Sequence, residues 1–163
     1  MFSADSVIPM LLRFIHLVSG VIWISQLYHF NLIQAPFMKE VGALPRRDAV
    51  LKLVPRSLFW FRWSAVVTLL AGIGLMAVGH FRNPSIMIGA TLGLIMFLNT
   101  WIFILPNQKA IIRMTTEAVE DKMPISPEVD LHVQRVFWIS RFNFWLSFPM
   151  LFFMGASSHF PLF

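Results

Sequence analysis

The sequence has 163 residues, of which 57% are hydrophobic and 13% are charged, and it contains 17 Phe, 6 Trp and no Cys. This composition is not that of a soluble domain and indicates an integral membrane protein. The lack of cysteine excludes disulfides, thiolate-held iron–sulfur clusters, cysteine nucleophiles and c-type haem attachment, so a metal site would need His, Met or oxygen ligands. The net charge of +5 does not indicate nucleic-acid binding, because the basic residues are scattered along the margins of apolar segments.

Four segments are long and apolar enough to cross about 30 Å of hydrocarbon. The first lacks a basic leader and a small-residue cleavage site, so we expect it to be retained as a helix. Prolines mark the boundaries: Pro36, Asn83-Pro84, Pro106 and Ser126-Pro127-Glu128. We therefore predict an all-α fold, an integral membrane four-helix bundle that forms a single domain over residues 1–163. Its helices are predicted at about 8–35, 58–80, 84–105 with an amphipathic extension to about 121, and 129–158.

The orientation of the bundle follows from its basic residues. Of the 13 Lys and Arg residues, all but Arg13 and Arg82 lie within residues 39–62 or 109–141. Basic residues are enriched on the cytoplasmic side of membrane proteins. The sequence therefore predicts a multi-pass protein of the bacterial inner (cytoplasmic) membrane, with the N- and C-termini on the periplasmic side.

One face of the first predicted helix carries a stripe of polar and small residues. At 100° per residue, six side chains fall within about 60° of one another: His16, Gly20, Trp23, Leu27, Asn31 and Gln34. Polar side chains are costly in lipid, so we expect this stripe to face the bundle interior. His29 is rotated by about 140° from His16 and serves a different face.

The other three helices carry similar stripes. Their members are Ser64, Thr68, Gly72 and Gly79 in helix two, Gly89, Gly93, Met96, Thr100, Phe103 and Asn107 in helix three, and Ser140, Asn143, Ser147, Met154 and Ser158 in helix four. Close helix packing through small and hydroxyl residues is the simplest interpretation of all four stripes.

Three histidines are predicted at the periplasmic end of the bundle. In a membrane bundle, buried imidazoles can hold haem iron axially, or two or three of them can bind copper or zinc. We take His16 and His159 as candidate axial ligands of haem b, and His16, His159 and His80 as candidate ligands of copper or zinc. The alternative is that histidines at helix ends are simply solvated. Arg13 is a candidate partner for a haem propionate or another anion, or it snorkels to the membrane interface.

Four segments in the same order extend a resemblance over nearly the whole chain: HLVSGVIWISQLYHFNLIQAPFMK, LFWFRWSAVVTLLAG, WIFILPNQKAI and SRFNFWLSFPMLFFMGASSH. Together they resemble the membrane domain of the bacterial membrane-bound urate oxidase (urate hydroxylase) family. Full-length members join this domain to a C-terminal cytochrome c domain, so we expect the chain to be a short form without it. The resemblance implies a place in membrane electron transfer and points to His16, Trp23, Asn31 and His159 as cofactor-binding positions.

Three hypotheses about function remain open at this point. The leading one is a haem-b or metal-binding redox component that works with a larger membrane oxidoreductase. The second is a non-catalytic accessory subunit that packs against a respiratory, photosynthetic or oxygenase complex. The third is an oxidase of a tetrapyrrole intermediate, since the small membrane protoporphyrinogen oxidases also have four or five helices and a histidine in the first. No catalytic residue is assigned, because the sequence carries no soluble-enzyme signature and no acid–base pair.

Overall fold

The computed structural model describes residues 4–78 and 83–159, with side chains for residues 7–78 and 83–156. Over these residues the chain forms four long helices and no strand, which confirms the all-α prediction. All four helices are long and apolar enough to cross a membrane.

The first two long helices each contain a π-helical turn. The first runs through α1 (Ala4–Tyr28), π1 (His29–Gln34) and α2 (Ala35–Glu40). The second runs through α3 (Ala43–Asp48), π2 (Ala49–Leu53) and α4 (Val54–Val78). The first helix therefore continues past Pro36, and the second begins well before the predicted residue 58. This earlier start is consistent with the strong helix propensity of the Ala, Leu, Arg and Lys residues in the segment.

The third long helix also contains a π-helical turn, and the fourth does not. The third runs through α5 (Pro84–Asn99), π3 (Thr100–Ile104) and α6 (Leu105–Glu120), and the fourth is α7 (Glu128–His159).

Local capping fixes the ends of these two helices. Asn83 caps the third helix by accepting a hydrogen bond from the Ser85 N–H at 2.8 Å, and Ser126 caps the fourth by accepting one from the Glu128 N–H at 3.3 Å. The amphipathic extension ends where Lys122 adopts a positive φ of 54° and the Met123 N–H reaches the Ala118 carbonyl. The third helix thus begins at Pro84, its extension ends at Glu120, and the fourth helix begins at Glu128.

The bundle consists of two helix pairs, with the first helix packed mainly on the second and the third on the fourth. A Cβ added at Gly89 would lie 3.3 Å from the Met154 amide nitrogen and 3.4 Å from the Met150 carbonyl oxygen, so the third and fourth helices touch backbone to backbone. The two pairs meet in one apolar core of eleven buried residues: Trp23, Ile24, Leu27, Val54, Leu58, Phe61, Ala65, Met96, Ile104, Leu105 and Met150.

Polar side chains tie the helices together inside this core. The first helix is linked to the second by the Thr68–Ser19 hydroxyl pair at 2.9 Å. The fourth helix is linked to the third by the Asn99 amide, which donates to the Asn143 Oδ1 at 2.9 Å. The Tyr28 and Ser147 hydroxyls, 3.1 Å apart, join the first helix to the fourth. Hydrogen bonds of this kind are how polar groups are accommodated in a membrane bundle.

Most of the predicted interior stripes are buried. The buried members are Trp23, Leu27, Asn31, Gln34, Ser64, Thr68, Gly89, Met96, Thr100, Ser140, Asn143 and Ser147. Phe103 is the one described member that is exposed, at 45%, and Ile104 takes the interior position instead. The other described members are partly buried: His16, Gly20, Gly72, Gly93, Asn107 and Met154. Gly79 and the side chain of Ser158 lie outside the described residues.

Candidate functional site

A partly open cavity of about 450 Å³ lies at one end of the bundle, among all four helices. We call this the basic end, because it carries residues 39–56 and 109–135, where most of the Lys and Arg residues lie. Ligand pockets typically occupy about 300–1,000 Å³, so the volume suits a small molecule. The cavity is the candidate functional site.

All three π-helical turns contribute to the cavity. Phe30, Asn31 and Gln34 come from π1, Val50 from π2 and Ile104 from π3. Single π-turns inside α-helices are rare and occur frequently at functional sites. Their convergence here is a second reason, independent of the cavity volume, to place the site at this end.

A proline lies two residues beyond each π-turn. Pro36, Pro55 and Pro106 have no N–H, and a proline ring inside a regular α-helix clashes with the carbonyl four residues earlier. In each case the residue before the proline donates its N–H five residues back: Ala35 to Phe30, Val54 to Ala49 and Leu105 to Thr100. The wider turn accommodates the proline and lets each helix continue past it.

Neutral polar groups lie among the buried residues that line the cavity. The Asn31 amide donates to the Ser140 Oγ at 2.8 Å and to the Leu27 carbonyl at 2.9 Å. Gln34 is only 9% exposed, and its Oε1 has no hydrogen-bond partner within the described part of the chain. Buried polar atoms usually have a partner, so this carboxamide is unusual.

Among the described residues that line the cavity, the charged ones are all exposed. These are Lys39, Arg46 and Asp130. The Lys39 ammonium lies 5.2 Å from the centre of the Phe137 ring, which holds it against the cavity wall. The cavity therefore has a charged rim and a neutral interior.

His16 lies away from the cavity, between the first and second helices. Its Nδ1 is 2.9 Å from the Thr68 carbonyl oxygen, which can only accept, so Nδ1 is the donor and the neutral ring has its lone pair on Nε2. Gly72 makes room for the ring, since a Cβ there would lie 3.1 Å from the His16 Cε1. Histidines that bind metal almost always donate their other ring N–H in this way. His16 therefore fits as one ligand of a haem or metal ion.

The remaining predicted ligands cannot be placed beside His16. His80 lies outside the described residues, as does the side chain of His159. Among the side chains that the structure describes, no group of three or more His, Cys, Asp or Glu residues is arranged to hold a metal ion.

The structure does not gather the predicted cofactor-binding residues into one site. Fifteen residues separate His16 from Asn31, which corresponds to about 22 Å along a helix. Asn31 lines the cavity, Arg13 is exposed near His16, and Trp23 is buried between the two ends with no hydrogen-bond partner for its indole nitrogen among the described residues. The Nε2 of His29 is likewise buried without a partner in that part of the chain.

Most residues that line the cavity were not predicted to form a site from the sequence. Gln34 and Ser140 were expected on interior stripes but not at a site, and Asp130 was not singled out. The available signal was a proline at the same end of three apolar segments, Pro36, Pro55 and Pro106, each in a helix that continues past it.

The comparison with known families locates its match in the second helix pair. The family described as urate oxidase N-terminal matches residues 82–163. No curated protein and no solved structure matches the chain. The match covers about half of the sequence and includes the third and fourth helices with Ser140 and Asp130, whereas His16, Asn31 and Gln34 precede it. The chain belongs to the urate oxidase N-terminal family.

Proposed function

We propose that the chain is a redox component of the bacterial inner membrane, which holds a haem b through His16 and works with a larger membrane oxidoreductase. The observation that supports this proposal is the His16 ring, whose Nδ1–H is directed at the Thr68 carbonyl and whose Nε2 is thereby left as a ligand atom. A haem b would supply one-electron transfer at this position. Copper is an alternative redox centre for the same ligand, and zinc would give a structural site.

The chain's own residues would orient and tune such a group. The hydrogen bond to Thr68 fixes the orientation of the His16 ring and the tautomer that presents Nε2 as the ligand atom. Gly72 sets the distance between the imidazole and the second helix. We propose that His159 would hold the haem together with His16, and that His80 would be a further ligand of a copper or zinc ion.

Replacing His16 with Ala tests the proposal. In the purified full-length protein we expect a Soret band in the oxidised and dithionite-reduced spectra, or stoichiometric copper or zinc, and we expect H16A to lose it. The control is H132A, because His132 binds Asn107 at 2.7 Å near the basic end and belongs to no proposed site. A wild-type protein without a Soret band and without stoichiometric metal would refute the redox proposal.

Gly72→Ala provides a second test that keeps the ligand in place. The new Cβ would lie 3.1 Å from the His16 Cε1 and 3.3 Å from its Nδ1, so the ring has to shift away from the Thr68 carbonyl. We expect a folded protein with lower occupancy or a shifted band. A spectrum identical to that of the wild type would mean that the hydrogen bond between His16 and the Thr68 carbonyl does not position the ligand.

A second candidate function is that of a non-catalytic accessory subunit. The observation that favours it is an aromatic stripe on the fourth helix, formed by Trp138, Phe142 and Trp145, of which 68%, 52% and 63% are exposed. These residues are spaced four and three apart and so share one face, which suits contact with a partner helix. A chain that stays monomeric after mild detergent extraction, with no stable partner, would count against this function.

A further inference from the structure

The cavity at the basic end has a hydroxyl proton that no group in the described part of the chain accepts. Hydroxyl groups in the described helices usually donate to a carbonyl of the preceding turn, as Ser64 does to Trp60 at 2.6 Å and Thr68 does to Ser64 at 2.7 Å. The Ser140 Oγ instead accepts from Asn31, and among the described residues its own proton has no acceptor. Ser140 is 8% exposed and lines the cavity. It is therefore a buried donor available to a ligand.

Gln34 supplies a second unused group at the same cavity. Its carboxamide is more than nine-tenths buried, and its oxygen has no partner within the described chain. A carboxamide can present either a donor or an acceptor by rotating about its last torsion. Leaving such groups unpaired is unfavourable, and a bound ligand with matching atoms would supply the missing hydrogen bonds.

The walls around these two groups are apolar and aromatic. Phe30 and Phe61 stand edge to face with their centroids 5.4 Å apart, and Leu58 and Val136 complete the neighbouring surface. All charged lining residues lie at the exposed rim, and burying an ion beside neutral groups is costly. The interior therefore favours an uncharged flat ring with carbonyl oxygens.

We propose that this cavity binds the ring of a membrane quinone. One ring carbonyl accepts from the Ser140 hydroxyl, the Gln34 carboxamide binds the ring or its reduced form, and the phenyl rings contact its faces. The lining belongs to helices that are apolar enough to cross a membrane, which suits a lipid-soluble ligand. Naming a redox-active ring rests on the proposed redox function.

Direct binding to the full-length protein in detergent tests the inference. With a decyl-substituted benzoquinone as the probe, we expect saturable binding by calorimetry and a loss of about tenfold in affinity for both S140A and Q34L, as for one hydrogen bond. The matched control is S147A, since Ser147 is buried on the same helix, pairs with Tyr28 and does not line the cavity. We expect its affinity to stay within about twofold of the wild type.

Two further measurements, one on a variant with a narrower cavity and one with a different ligand, test the same inference. Ala35 lines the cavity, so A35L should narrow it and weaken binding while leaving both polar groups in place. Absence of saturable binding, or wild-type affinity in S140A and Q34L, would overturn the inference. Equal binding of uracil, a tail-less ring soluble in water, would assign the cavity to soluble compounds and also overturn it. The redox centre is tested separately, because H16A should keep quinone binding. A protein with neither a Soret band nor stoichiometric metal that still binds quinone would refute only the proposed function.

Discussion

Phe61→Ala should lower the free energy of unfolding by about 3–5 kcal/mol, the largest loss we expect from any single substitution in this chain. Phe61 is 1% exposed, and its ring packs edge to face on Phe30 at 5.4 Å. Truncating it removes the dispersion contacts of a whole ring and leaves a void where the two helix pairs meet. Titration of the protein in mild detergent with SDS, followed by far-UV circular dichroism, measures the loss.

Phe59→Ala is the matched control. Phe59 lies two residues away in the same helix, carries the same side chain and is 50% exposed on the outer surface. We expect this variant to unfold within about 0.5 kcal/mol of the wild type. Equal destabilisation of the two variants would show that the ring of Phe61 is not part of the core.

Gly89→Ala should destabilise the bundle by about 1–3 kcal/mol, even though alanine is the better helix former. A Cβ at Gly89 would lie 3.0 Å from the Met154 Cγ and 3.3 Å from the Met154 amide nitrogen. The side chain of Met154 can move, but the backbone of the fourth helix moves only if the two helices separate. The same SDS titration reports the effect.

Gly93→Ala serves as the control for this substitution. Gly93 lies one turn further along the same helix, and its nearest neighbour, the Met150 Cγ, would be 4.0 Å from the new Cβ. That distance is an ordinary contact, so we expect a neutral or slightly stabilising effect. A loss at position 93 as large as that at position 89 would indicate that overall helix propensity rather than close approach governs the pair.

The sequence was sufficient to predict the helices and most of their buried faces. Hydropathy and length predicted four spans, and the polar stripe from His16 to Gln34 predicted the inner face of the first helix. These predictions succeeded because lipid penalises exposed polar groups strongly, so a polar residue such as Asn143 indicates the interior on its own. Asn143 is 1% exposed and hydrogen-bonded to the third helix.

The sequence prediction failed where a helix changes its winding. The stripe of the third helix was extended from Thr100 to Phe103 at the spacing of an α-helix. The π-turn inserts one residue, so the interior face continues through Ile104 and leaves Phe103 exposed. A proline predicts a disturbance of the helix, but whether the chain breaks or widens depends on the neighbouring helices, which no local pattern contains.

At both candidate sites, the sequence indicated the residue but not its hydrogen bonds. His16 was a candidate ligand from its position alone, whereas the protonation of its Nδ1 depends on a carbonyl fifty-two residues away. The free hydroxyl proton of Ser140 likewise depends on Asn31, which is 109 residues distant in sequence. Contacts between helices decide such details, and periodicity within one helix does not report them.

The three π-turns also bear on how this chain relates to its relatives in sequence. Each turn holds one residue more than the α-helical turn that it replaces, and each is coupled to a proline two residues later. A relative without the proline does not need the additional residue of the π-turn. We therefore expect each loss of the proline to be accompanied by a one-residue gap in the preceding turn. Where Pro36, Pro55 or Pro106 is lost in this way, the helix should straighten into regular α-geometry and the cavity should narrow. The presence or absence of the extra residue in these three turns would then indicate which relatives have the cavity.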